Sequence, residues 1–227
     1  NVFTAAIAEP NVIIVNTDML KELGVEVNGY ADLLQPELKG KIISGDPANS
    51  SSAFQCLIGM LYGMGKDNDP MSQEAWDFLD QFLKNLEGKQ ANSSSQIYKG
   101  VAQGEYAVGL TFEDPCVALQ AAGEYPVKVV YPVEGLIFPG ESVQILKDAP
   151  HLENAQKFVD FLLSEATMNE IGMNLNLRPL REGATLNENM VPNDQLKLFD
   201  NYDENWVAEH KAEIISMYTD HLESSME

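Results

Sequence analysis

Apolar residues along this chain come in two rhythms. Short continuous runs alternate with longer stretches of helical spacing. Val12-Ile13-Ile14-Val15 is β-branched throughout, which predicts a strand covered on both faces. Lys41-Ile42-Ile43 predicts a second strand, residues 106–111 (YAVGLT) a third, Val127 to Tyr131 a fourth, and Ser142 to Leu146 a fifth. Between them lie helical patterns. One follows the serine run of SGDPANSSSAFQ (44–55) and ends near Gly63 and Gly65. The next opens at Asp69-Pro70-Met71-Ser72, with Ser72 as the expected cap and Trp76, Leu79, Leu83 and Leu86 on one face. A third starts at Ser93-Ser94-Ser95 and stops at Gly104. A fourth is expected to use Asp114 as cap ahead of Pro115, and to run to Gly123. Asn154 to Leu163 is strongly amphipathic, and a last helix is expected from about Trp206 to His221. Strand alternating with helix predicts an α/β protein with a mainly parallel sheet. In such sheets ligands gather where strands end and helices begin.

Composition changes the picture at one point. Hydrophobic residues make up 44% and charged residues 22%, ordinary for a globular chain of 227 residues, but 35 acids face 14 bases, a formal net charge of -21. Such a chain repels nucleic acid and anionic lipid, so neither is expected as a partner. No apolar run is long enough to read as a membrane helix. The two cysteines, Cys56 and Cys116, sit in apolar helical runs and read as small buried residues, with a single bridge left open.

Motifs for catalysis are missing. There is no G-x-S-x-G elbow, P-loop, dinucleotide-binding glycine pattern or zinc-ligand spacing, and no cofactor or metal site is expected. His151, His210 and His221 lie in polar surroundings and are expected to be exposed. Binding is the better-supported class. The first turn of a helix carries unpaired N–H groups and a partial positive charge, and hydroxyls add donors. Asn49, Ser50, Ser51 and Ser52 at one helix start, and Ser94 and Ser95 at another, can therefore hold a phosphate or carboxylate without a lysine. The same residues also serve as ordinary caps.

Several stretches carry a family resemblance: DLLQPELKGKIISGDPANSSSA, SSSQIYKGVAQGEYAVGLTFEDP, VKVVYPVEG, and NAQKFVDFLLSEATMNEIG followed by LRPLRE. They resemble the solute-binding proteins of bacterial ABC importers, in the branch whose members take iron(III), phosphonates or sugar phosphates. The likeness runs from about Val12 to Arg181. It implies a type II periplasmic-binding-protein fold, two α/β lobes joined by hinge strands that close on a solute. Residues 1–16 and 133–185 then read as the remnant of a first lobe with hinge strands, 17–132 as the second lobe, and 186–227 as a C-terminal helical segment. The family carries a further βαβ unit before the crossover, so the first lobe reads as incomplete and the chain as N-terminally truncated. Self-association through exposed apolar surface of that lobe is expected.

The resemblance also implies a ligand class. Iron-binding members place adjacent tyrosines after the strand equivalent to YAVGLT, where this chain has Phe112-Glu113-Asp114. That favours an organic anion over iron, with Fe(III) as the alternative and an enzyme or sensor domain behind it. Glu113, Asp114 and Glu134 are expected to accept hydrogen bonds from hydroxyls or an amine of the solute. Arg178 and Arg181 are read as surface residues pairing with the acidic chain. The implied setting is the periplasm or another extracytoplasmic space, with transporter membrane subunits as partners and a lipid anchor before Asn1 left open.

Overall fold

A computed structural model describes residues 3–225. The elements are β1 (Phe3–Ala8), β2 (Asn11–Asn16), α1 (Thr17–Leu23), β3 (Ile42–Gly45), α2 (Ser51–Met64), α3 (Gln73–Leu86), β4 (Gln90–Ala91), α4 (Ser94–Ala102), β5 (Val108–Phe112), α5 (Glu113–Ala122), β6 (Val127–Val130), β7 (Gly140–Gln144), α6 (Leu152–Leu162), α7 (Glu165–Asn174), β8 (Arg178–Pro179) and α8 (Glu204–Ser225). Two sheets organise them. The larger has the order β4-β3-β5-β2-β6, and the smaller β7-β1-β8.

The larger sheet is mixed, not simply parallel. β3 runs parallel to β4 and β5, while β2 is antiparallel to both β5 and β6. β2 enters directly from the smaller sheet through Glu9 and Pro10, so no helix intervenes to reverse its direction. Its burial is as the run of β-branched residues predicts: all six positions are buried. Ile13 and Val15 join the core under α2 and α3, and Val12 and Ile14 the core under α4 and α5. On α3, Trp76, Leu79, Leu83 and Leu86 are buried along with Phe78 and Phe82. Burying each such side chain contributes roughly 1.5–3 kcal/mol, so this stripe, more than helix propensity, fixes α3.

Two close approaches set the helices that matter for function. A Cβ on Gly45, the last residue of β3, would lie 2.8 Å from the Ala53 Cβ, so glycine there lets the first turn of α2 settle on the strand. A Cβ on Gly109 would lie 2.7 Å from Ile97 Cγ2, which sets how closely α4 packs on β5.

Residues after Arg181 return to the larger sheet's core. Phe199, Val207, Ile214 and Tyr218 pack with α2 and α3 residues, and the Tyr218 hydroxyl accepts from Gln90 at 2.7 Å. α8 is thus docked along α3. His221 Nδ1 lies 2.6 Å from Asp80 Oδ1 with its ring tilted over Trp76, and His210 stacks on Trp206. Both histidines are half-buried, contrary to expectation, because α8 lies against the core; His151 is exposed. Cys56 and Cys116 are buried and free.

α6 departs from its pattern in another way. It is amphipathic, yet none of its residues is buried. Leu152, Phe158 and Phe161 are 53%, 60% and 63% exposed, beside Leu146 at 73%.

Candidate functional site

Two serine-rich helix starts meet. β3 and β4 are parallel neighbours, and α2 and α4 follow them at the same sheet edge. Ser50 caps α2, its Oγ accepting from the Ala53 amide at 3.3 Å, and Ser93 caps α4, accepting from Gln96 at 3.4 Å. Ser52 Oγ lies 3.0 Å from Ser94 Oγ and 3.1 Å from Ser50 Oγ, while Ser93 and Ser95 hydroxyls are 3.1 Å apart. The first intrahelical bond of α2 is donated by Phe54 to Ser50. The amides of Ser51 and Ser52 precede it, as those of Ser94 and Ser95 precede the bond from Gln96. Four such amides and several hydroxyls therefore lie in two adjoining first turns. Asn49 is beside them, its side chain donating to Asp46 Oδ2 at 2.5 Å; Asp46 Oδ1 in turn accepts from Ala48.

Asp114 lies beyond the end of the same sheet, but not as a cap. α5 begins one residue earlier, at Glu113, and the capping position belongs to Phe112, which makes no side-chain cap bond. β5 stays extended through Phe112, so Asp114 and Pro115 both fall within the first helical turn, where a missing N–H costs nothing. Asp114 Oδ1 is buried without a partner. Ser72 also stands at a cap position without capping: its Oγ accepts from Lys66 and donates to the Asp69 carbonyl.

The continuation of the β2/β5 register, Asn11 opposite Phe112, brings Glu9 towards Asp114. Glu141, paired with Ile7 in the smaller sheet, completes a group of three carboxylates where the two sheets adjoin. Burial, and then a hydrogen bond to Asp114, push the Glu9 carboxyl up to about 8. Burial also raises Asp114, while the bond from Glu9 lowers it. The two carboxyls therefore titrate as a pair, with burial favouring a proton held between them. Neither Glu9 nor Glu141 carries a motif by which the sequence could single it out. Among the described residues, no group of three or more His, Cys, Asp or Glu could hold a metal ion.

Glu113 and Glu134 are not brought to the serine turns. Glu113 is buried and takes both Nε and Nη2 of Arg178 at 2.6 Å, with the Tyr131 hydroxyl on Oε1. Glu134 accepts from the Tyr30 and Ala31 amides, each at 3.0 Å, and ties down a short helical turn. Both carboxylates already have protein donors. Arg178 corrects the surface reading. It is fully buried, and its Nη1 also donates to the Val191 carbonyl and Asn193 Oδ1 at 2.7 Å. Its charge could be buried only because Glu113 neutralises it and three acceptors take its protons. Arg181 donates to the Leu163 carbonyl at 3.1 Å at the surface.

Known proteins share this sequence and architecture. The chain is 31% identical over 138 residues to a spermidine/putrescine-binding periplasmic protein of Escherichia coli, covering 60% of this chain and 38% of that protein. It is 27% identical over 185 residues to iron uptake protein A1 of Synechocystis, covering 76% of this chain and 49% of that one. Among solved structures, the periplasmic binding protein AfuA from Actinobacillus pleuropneumoniae, with exogenous fructose-6-phosphate bound, superposes with a TM-score of 0.80 at 26% identity, over 98% of this chain and 69% of that chain. The chain thus spans less than half the length of these two curated relatives. With the bacterial extracellular solute-binding protein model matching residues 2–197, the two-sheet α/β chain described above belongs to that family, with the type II periplasmic-binding-protein fold.

Proposed function

We propose that this chain is the solute-capturing part of an ABC importer. It takes a small phosphorylated organic anion, a sugar phosphate or a phosphonate, at the converging starts of α2 and α4. The observation that carries the reading is the 3.0 Å contact between Ser52 and Ser94, which merges two helix N-termini into one donor-rich edge. Asn49, Ser50, Ser51, Ser52, Ser94 and Ser95 serve the phosphate, and Asp114 accepts from a hydroxyl of the remainder. The bound sugar phosphate in the AfuA relative supports this class of solute. The protein binds and delivers without chemical conversion, outside the cytoplasm, and hands its cargo to the membrane subunits of the transporter. Residues 17–132 form one lobe, and 1–16 with 133–185 belong to the other and its hinge.

A second reading has its own support. The carboxylates of Glu9, Asp114 and Glu141 suit an ammonium group, and relatives of this chain are named for spermidine and putrescine. One screen separates the two. Saturating ligand at 100 times its Kd should stabilise the fold by about 2.7 kcal/mol. Thermal shifts with fructose 6-phosphate, a phosphonate, spermidine and a ferric salt are to be compared, followed by Ser51→Ala with Ser52→Ala. Stabilisation by the phosphate-bearing compounds, lost in the double variant, is expected. Stabilisation by spermidine or iron alone would refute the anion reading.

A further inference from the structure

Asn11 is the first residue of β2, where the chain passes from the smaller sheet into the larger. It is 3% exposed. Its Nδ2 donates to the Ser52 carbonyl and to Cys56 Sγ, both at 3.2 Å. The orientation of the amide is fixed, because the Ser52 carbonyl can only accept. Oδ1 on the other side of the amide is buried without a partner. Proteins seldom tolerate a buried orphan acceptor, since leaving one unmade costs more than a formed bond returns. An apolar residue at this position would avoid that cost, as Val12 to Val15 do along the rest of the strand. The amide is therefore explained by what its nitrogen holds: the residue in the first turn of α2 that touches Ser94.

We propose that Asn11 is a positioning residue for the anion site, holding Ser52 at the height from which its amide and hydroxyl reach the solute, and linking that turn to the strand that crosses between the sheets. This rests on the reading of the serine turns as the anion site. Asn11 itself does not touch the solute. It acts through Ser52, so a movement of the crossover reaches the serine turn through one side chain. Along the rest of β2, Val12, Ile13, Ile14 and Val15 contribute packing, and Asn16 donates to the Val101 carbonyl in the last turn of α4, away from the serine turns.

Asn11→Ala and Asn11→Asp test the idea beside Ile14→Val, a packing control in the same strand on the opposite sheet face. The 227-residue chain is titrated with inorganic phosphate and with fructose 6-phosphate, well below the melting temperature, following the amide resonances of Ser51 and Ser52. Melting curves of all variants give the stability change separately. Asn11→Ala and Asn11→Asp should weaken binding by about tenfold, the value of one bond to a charged site, while Ile14→Val binds as wild type. Lowering the pH should restore Asn11→Asp relative to wild type at the same pH, because the protonated carboxyl can again donate to the Ser52 carbonyl. Unchanged binding in both Asn11 variants, or equal weakening in Ile14→Val, would overturn the positioning role while leaving the anion site standing. A wild-type chain that binds neither probe would overturn the anion site and this inference together.

Discussion

Replacing Arg178 with methionine should be among the most damaging single changes available in this chain. The guanidinium is fully buried, and the Glu113 side chain beside it is 2% exposed. Removing the arginine leaves a carboxylate inside the protein with only the Tyr131 hydroxyl as a donor. It also strips the Val191 carbonyl and Asn193 Oδ1 of their donor. Breaking one side of a buried pair costs about 3–5 kcal/mol, against at most about 1 kcal/mol for an exposed pair. A protein of ordinary stability has about 5–15 kcal/mol to lose, so Arg178→Met should shift a urea midpoint strongly and bring some preparations close to unfolding. The companion variant is Glu113→Leu together with Arg178→Met. Removing both charges leaves no unpaired ion, so it should recover a large part of the loss. The pair also joins β8 of the smaller sheet to the first turn of α5 on the larger. A loss below about 1 kcal/mol in the single variant, or a double variant no better than the single, would refute the account.

Two further outcomes follow from the same region and its neighbour. Glu9 holds its proton more tightly folded, at about 8, than an unfolded glutamate does at about 4.3, so its contribution is complete below pH 4 and is lost as pH rises through 8. Melting temperature should therefore fall less between pH 5 and 8 in Glu9→Gln than in wild type; identical pH dependence would show that Glu9 does not share its proton with Asp114. Separately, the exposed Phe158 and Phe161 should drive self-association at high concentration, and changing both to lysine should lower the weight-average mass in sedimentation equilibrium. A wild-type chain that stays monomeric throughout would contradict this.

What the sequence makes legible is local. β2, β3, β5 and β6 and helices α2 to α5 can be read from periodicity and from glycines, because each depends on residues within a few positions. β1, β4, β8, α1 and α7 leave weaker traces: two of them are two-residue strands that exist only through pairing. The serine turns can be recognised singly, but not their contact. Ser52 and Ser94 stand 42 residues apart, and they meet only because β4 is added beside β3. The fate of Glu113 was hidden for the same reason, with Arg178 lying 65 residues away. An acidic pair before a helix looks the same in sequence whether it faces a cleft or an arginine. Asn11 was visible only as a polar residue at the start of an apolar strand, which strand ends often show.

The net charge of -21 looks at first like an argument against any anionic solute. It weighs on the encounter more than on the bound state. In about 0.15 M salt a charge is screened beyond roughly 8 Å, so most of the acids are screened from an ion seated at the serine turns. The acids that count are the near ones. Asp46 is the closest in sequence, and its two carboxylate oxygens already accept from the Ala48 amide and the Asn49 side chain. Those bonds turn its charge into the loop and leave the amides of Ser51 and Ser52 as the polar groups at the helix end. Helix N-termini keep their donors fixed whatever the bulk charge, so the local dipoles outweigh the distant carboxylates. An acidic surface also discourages nucleic acid and large polyanions, which could otherwise compete for a phosphate cradle. The acidity of the chain and a phosphate cradle built from amides and hydroxyls are therefore compatible, and together they favour a small phosphate-bearing solute over a polymeric one.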